Sequence, residues 1–368
     1  MNFEDVTILV PTQDRDFLVK RSVAYYKKIK IKTIIVDSSV LSLNLKSDPL
    51  IAYIHMPGAS YQAKMEVASK QANTAYVCIV ADDDFIVPSG LYQGINFLNS
   101  NKDFSSVQGM YVRFTKYFSR LFILSAMYTG HQDCKLTEES STERVIKSME
   151  KYANPNMALY RREVIVQAMK IASLVDEVPV HELLINLVSR TMGKFNTIPY
   201  FWAARDTKRY TKYIDPLGEN VPDAPEHLIL KDSLPTKAIY DWKEYLDSKN
   251  GKKIKNGFSN FYDDYAKRSN VKEMKGTELF DFAFSKYDAG RAKRRQKESI
   301  HLKFLKYLRR YFIPNVLANI LWYTYRYIST NYLYKKFYKP YIKGYPWSDY
   351  QAKKDWITIK ETLIKKER

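Results

Sequence analysis

Asp82-Asp83-Asp84 is the part of this sequence best equipped for chemistry. Three adjacent carboxylates repel one another unless a cation neutralises them. They follow the apolar run Ala75–Ala81, which reads as a strand, and in an extended chain residues two apart project to the same side. On that reading Asp82 and Asp84 face one ion and Asp83 points elsewhere. Hard oxygen ligands favour Mg²⁺ or Mn²⁺, which keep open positions for water and phosphate oxygens. The plainer alternative is a solvated acidic turn.

Elements that could hold such a site are visible on either side. Val6–Val10, Lys32–Val36, Ile51–His55 and Ala75–Ala81 read as short apolar strands, and Asp16–Ile29 and Tyr61–Asn73 carry helical spacing. Strands alternating with helices predict an α/β fold whose sheet is mainly parallel and flanked by helices. In such sheets ligands bind beyond the carboxyl ends of the strands. Three of those ends are polar: Pro11-Thr12-Gln13-Asp14-Arg15, Asp37-Ser38-Ser39 and the aspartate triplet.

The run Val77–Leu91, with the triplet at its centre, resembles the DXD segment of bacterial family-2-like GT-A glycosyltransferases of surface polysaccharide synthesis. Ile8–Arg15 looks like that family's first strand and turn, and Ile34–Ser39 like its second strand. The resemblance spans about residues 5–205 and rests on the order and spacing of motifs, none of which is specific alone. It implies a Rossmann-like GT-A domain, a Mn²⁺ or Mg²⁺ ion on Asp82 and Asp84, and a nucleotide-sugar donor, foremost a UDP-sugar. It also implies that Asp37 contacts the base, that Pro11, Thr12, Arg15 and Asp83 line the donor, and that Lys64 lies near the nucleotide. Each has a plainer role as well: Asp37 as a turn cap, and Arg15 and Lys64 as surface charges. Arg205, after the strand-like Tyr200–Ala204, could reach a diphosphate.

Asn154–Val164 is similar to the family's acceptor-side strand and turn, and His181-Glu182 to the "ED" pair that carries the catalytic base. The family usually has Asp in the second place, and the extra methylene of Glu182 shifts the carboxylate. Asp176 and Glu177 are rival bases, while His181 could equally be a structural residue at a helix start. Glycosyl transfer would then use a metal to neutralise the departing diphosphate and a carboxylate to deprotonate the acceptor hydroxyl. That route inverts the anomeric centre. A retaining route stays open if no carboxylate is suitably placed.

Composition bounds the rest. The chain has 30 tyrosines in 368 residues, and its net charge of +19 implies an anionic partner. From Arg291 to Tyr350 fourteen Lys and Arg stand against two acids, interleaved with aromatics. This segment suits docking on an anionic membrane surface, where a lipid-linked glycan acceptor would lie; nucleic-acid binding and a basic helical subdomain are its alternatives. The expected organisation is a catalytic domain over residues 1–210, a proline-rich linker over 211–234 and a helical region over 235–368. Neither a signal peptide nor a membrane span is expected, and Cys78 and Cys134 make no disulfide framework, which fits a protein of the cytoplasm, peripheral at the inner membrane face. A sugar-nucleotidyltransferase would need a glycine-rich loop after the first strand, which is absent. A non-catalytic membrane- or polyanion-binding protein of transferase-like fold is the other alternative. The sequence leaves the oligomeric state open.

Overall fold

The computed structural model describes residues 1–45, 48–117, 120–127, 134–150, 152, 157–206, 242–269, 274–296 and 350–364. Within them a mixed sheet runs in the order β3-β2-β1-β4-β9-β6-β10-β5, with β7 beside β6 and β8 beside β10. The strands are β1 (Val6–Thr12), β2 (Lys32–Asp37), β3 (Ile51–His55), β4 (Tyr76–Ile79), β5 (Asp84–Ile86), β6 (Phe104–Tyr117), β7 (Arg120–Met127), β8 (Lys135–Leu136), β9 (Leu159–Arg161) and β10 (Lys194–Asp206). The first four are mutually parallel, as is the long β10–β6 pair. The short strands β5, β8 and β9 pair antiparallel, as does β7. Val6, Ile8, Leu9 and Val10 are wholly buried because helices cover both faces of the parallel half.

On one face lie α1 (Asp16–Ile29) and α3 (Pro88–Ser100); on the other lie α2 (Tyr61–Gln71), α4 (Ser141–Glu150), α5 (Arg162–Ala172) and α6 (Val178–Met192). In α1 the buried stripe is Leu18, Val19, Arg21, Ser22, Tyr25 and Tyr26, at helical spacing, while Phe17, apolar in the sequence pattern, is exposed. The helical patterns beyond residue 235 become α7 (Trp242–Asp247), α8 (Lys249–Arg268) and α9 (Gly276–Gln296). Ile254, Phe258, Tyr262, Phe280 and Phe284 bury against the α2, α5 and α6 side. A last helix, α10 (Tyr350–Ile364), returns to the opposite face, where Ala352, Ile359 and Leu363 join the α1 and α3 core.

The linker at 211–234, Asn154 to Asn156 of the acceptor-side motif, and nearly all of the basic segment 291–350 lie outside the described residues. Among the described residues no helix is long and apolar enough to cross a membrane. Cys78 is buried in β4, and neither cysteine is in a disulfide.

Candidate active site

Because β1, β2 and β4 are parallel, their carboxyl ends share one edge. That edge joins the separate polar clusters of the sequence. The Thr12 hydroxyl donates to Asp82 Oδ2 at 2.7 Å, tying the end of β1 to the triplet. Arg15, at the N-cap of α1, donates Nη1 to Asp82 Oδ1 at 2.8 Å and lies 3.6 Å from Asp83. Before it, Asp14 takes a left-handed φ of 53°, and its N–H donates to Ser39 Oγ at 2.7 Å, joining the loops after β1 and β2. Asp is among the few residues that tolerate that conformation. Pro11 is the penultimate residue of β1 and pairs with Val36.

The triplet is not the extended segment its sequence suggests. The strand stops at Ile79, and a turn closed by Asp84 N–H donating to Ala81 O at 3.0 Å carries Asp82 and Asp83. Asp84 then opens β5, antiparallel to β10 and in register with Arg205. Alternation along a strand therefore does not govern where the three carboxylates point; the turn and its partners do. Arg205 Nε donates to Asp84 Oδ2 at 2.9 Å, and the Asp206 amide donates to Asp84 Oδ1 at 3.1 Å. Asp82 and Asp84 are buried, whereas Asp83 keeps 19% of its side chain exposed.

Two members of this cluster have no counterpart in the sequence reading. Arg21 donates to the Asp83 carbonyl at 2.9 Å, pairs with Asp206 at 3.4 Å and lies over the Phe85 ring. The sequence signal was a basic residue inside the buried stripe of α1, where an unpaired charge is costly. Asp206 directly follows Arg205 at the end of β10 and gave no signal of its own. Four carboxylates and three guanidinium groups thus converge here. Burial, with the Asp83 charge beside it, pushes the Asp84 carboxyl up; burial, with Asp82, does the same to Asp83. Burial alone would lower the Arg15 pKa, but Asp82, Asp83 and Asp84 outweigh it and raise it.

Asp37 is buried at the end of β2. Its Oδ1 accepts from the Ser39 amide at 2.8 Å and from the Ser39 hydroxyl, and Oδ2 accepts from the Tyr53 hydroxyl at 2.8 Å. It caps its own turn, and of roughly four lone-pair sites on a carboxylate one remains for a ligand. Lys64 is buried too, donating Nζ to Thr12 O at 2.7 Å and to Ser38 Oγ at 2.8 Å. Burial pushes its pKa down to about 8 despite Asp37 and Asp82 nearby.

The candidate bases belong to α6 and the connection before it. His181 is buried, its ring 4.1 Å from that of Tyr61 in the first turn of α2. Glu182 is half-buried, and burial followed by the Glu182 charge raises the Tyr61 phenol pKa. Asp176 is exposed in the α5–α6 connection. Glu177 accepts from Asn250 of α8 at 2.8 Å. Arg161 and Arg162 serve carbonyls, Arg161 donating to Leu98 and Asn101 at the end of α3 and Arg162 to Ala72.

Among the described residues no three His, Cys, Asp or Glu side chains are grouped to hold a metal ion. Mg²⁺ and Mn²⁺ need fewer, since one or two carboxylates plus phosphate oxygens and water suffice for Mg²⁺. Asp82 and Asp84 fit that requirement in kind: each oxygen accepts one hydrogen bond in the contacts above, which leaves lone pairs for a hard cation.

No protein-family model matches this chain, and no curated protein matches it in sequence. Among solved structures it is similar to S. aureus TarS 1-349, at 12% identity and a TM-score of 0.37 over 55% of this chain and 60% of that one. It is similar to S. aureus TarS at 13% identity and the same TM-score, over 55% of this chain and 37% of that one. The third is S. aureus TarS 1-349 in complex with UDP, at 12% identity, TM-score 0.37, 55% of this chain and 61% of that one. The chain thus covers less than two thirds of each. Likeness this distant decides nothing about activity.

Proposed function

We propose that this protein is a nucleotide-sugar-dependent glycosyltransferase acting on a lipid-linked glycan acceptor in bacterial surface polysaccharide synthesis. The observation that carries the reading is the meeting of Thr12, Arg15, Asp37, Lys64 and Asp82–Asp84 at one carboxyl edge of the parallel strands.

The edge suits the two ends of a nucleoside diphosphate. Asp37 has one lone pair left to accept an N–H from a base, and Ser39 and Tyr53 hold it in place. Arg15, Arg21 and Arg205 supply positive charge that a diphosphate could share, and planar guanidinium groups suit phosphate oxygens. Asp82 and Asp84 would hold the divalent metal, which would supply Lewis-acid neutralisation of the leaving diphosphate. Arg15 and Arg205 pair with these carboxylates. Donor binding would therefore exchange partners, the arginines moving from carboxylate towards phosphate.

In the transfer step the acceptor oxygen forms a bond to the anomeric carbon as the bond to the diphosphate oxygen breaks. The acceptor proton passes to a carboxylate, for which Glu182 is our assignment, giving inversion. His181, its ring tilted against that of Tyr61, would fix the start of α6 and hence Glu182. The basic segment 291–350 would seat the enzyme on the inner face of an anionic membrane beside its acceptor.

The test is a hydrolysis and binding screen with UDP-, GDP-, CMP- and dTDP-sugars, with and without Mn²⁺. Metal-dependent binding and turnover of one donor class, UDP first, is the expected result. No binding and no turnover of any donor would sink the reading.

A further inference from the structure

The helix that follows the triplet lacks its own cap. Its N-cap position is Val87, whose side chain accepts nothing, and Pro88 follows at the first helical position. Valine is among the poorest N-cap residues, since it cannot accept from the exposed amides of the first turn. Those amides matter here, because only Val87 separates α3 from β5, the strand that begins with Asp84.

The missing acceptor comes from the other end of the chain. Asp355, in α10, places Oδ2 2.9 Å from the Ser89 amide and accepts its hydrogen. Asp355 is 4% exposed, and its Oδ1 accepts from Gln351 Nε2 at 3.1 Å. A carboxylate at a helix N-terminus also meets the positive end of the macrodipole. The next residue, Trp356, packs on Phe114 of β6 and Phe201 of β10, with ring centroids 5.8 and 6.3 Å away. Further along α10, Glu361 pairs with Lys28 of α1.

The same junction is held from β10 as well. Val87 N–H donates to Trp202 O at 2.7 Å, and Gly90 approaches Phe201 O so closely that a Cβ there would lie 2.1 Å from it. Tyr25 of α1 donates to Ile86 O at 2.7 Å. The turn between β5 and α3 is thus pinned by β10, by α1 and, through Asp355, by a helix 266 residues further on.

We propose that Asp355 is a positioning residue for the acidic site: by capping α3 through Ser89 it fixes the β5–α3 junction and with it the carboxylate of Asp84. The link to nucleotide binding rests on the proposed function; the link to Asp84 does not. The Asp206 amide donates to Asp84 Oδ1, so its protection from exchange reports the place of Asp84 without any ligand.

The experiment compares full-length wild type, Asp355→Ala and Asp355→Asn. Amide exchange is followed at Ser89 and Asp206, and UDP binding is measured with Mn²⁺ by calorimetry. Asp355→Ala should speed exchange at both amides by about 5- to 10-fold and weaken UDP binding comparably, while thermal unfolding stays cooperative. Asparagine keeps an acceptor of the same shape, so Asp355→Asn should restore all three readouts to within about 3-fold of wild type. If the alanine variant does not fold, Asp355→Ser, with a shorter side chain, takes its place: faster exchange at both amides is expected, and wild-type rates at both overturn the idea. Acceleration at Ser89 with Asp206 unchanged also overturns it, because the cap would then be structural only. Wild type that binds no UDP would count against a uridine donor, and the two amides would still judge Asp355.

Discussion

Arg205 donates its Nε to Asp84 Oδ2 at 2.9 Å across the antiparallel β10–β5 pair, so the acidic turn carries a cation from its own chain. Arg15 does the same for Asp82. A divalent ion entering this site therefore displaces or is repelled by a guanidinium. Arg205 is about a third exposed, which screens that repulsion. Arg205→Ala should tighten Mn²⁺ binding in the absence of nucleotide by about 3- to 10-fold and weaken UDP binding by a similar factor. Electron paramagnetic resonance of free Mn²⁺, with and without UDP, reads both. Weaker Mn²⁺ binding without nucleotide would show that Arg205 supports the carboxylates and does not compete with the ion.

Glu182 stands close enough to Tyr61 for its charge to raise the phenol pKa. Glu182→Gln should reduce transfer by about 100- to 1000-fold while donor affinity stays within 2-fold. Transfer assays and calorimetry separate the two effects. Turnover near the wild-type rate would shift the role to Asp176 or Glu177.

Lys64 titrates at about 8 because burial disfavours its ammonium form. Its folded pKa lies below the ordinary lysine value, so between pH 8 and about 10.5 the unfolded chain binds more protons than the folded one. The cost of burying the charge is fully present below pH 8 and is relieved as pH rises through that window. Relative to Lys64→Met, wild type should gain about 3 kcal/mol of unfolding free energy from pH 8 to 10.5, seen in urea titrations at several pH values. Donor affinity should move the other way and fall above pH 8, as the ammonium loses its proton. A pH dependence of affinity identical in Lys64→Met would remove Lys64 from the donor site.

Gly90 allows the first turn of α3 to rest on the backbone of β10. Neither the Phe201 carbonyl nor the Trp202 backbone can yield as a flexible side chain would. Gly90→Ala should cost about 1–3 kcal/mol, visible as a lower Tm, and should loosen the turn at Asp84. A Tm equal to that of wild type would mean that α3 can shift away from β10 without penalty.

Much of the parallel half was legible in the sequence. Val6–Val10 and Lys32–Val36 are mostly apolar and rich in β-branched residues, which suits strands covered on both faces, and their polar ends fall at Thr12 and Asp37 as the α/β arrangement requires. The grouping of Thr12, Arg15 and Asp37 near the triplet follows from chain order and strand direction, whereas the place of Lys64, on α2, is implied only by the family resemblance. The course of the chain through the triplet does not. Alternation holds only while a strand continues, and this one stops at Ile79, before the aspartates.

Other features depend on contacts between residues far apart in the chain. The Asp37 sequence allowed both a capped turn and a base contact, and Tyr53 decides how much of the carboxylate is taken. Arg21 looked like one basic residue on a helix; its meaning comes from Asp206, 185 residues away. Asp355 resembles any acid on an amphipathic helix until α10 docks and brings it to Ser89. Local sequence determined which segments are strands and where their polar ends lie, because side-chain periodicity and backbone preference act over a few residues. Tertiary structure decided which charges neutralise which, because an ion pair or a remote cap exists only once distant segments have been packed together.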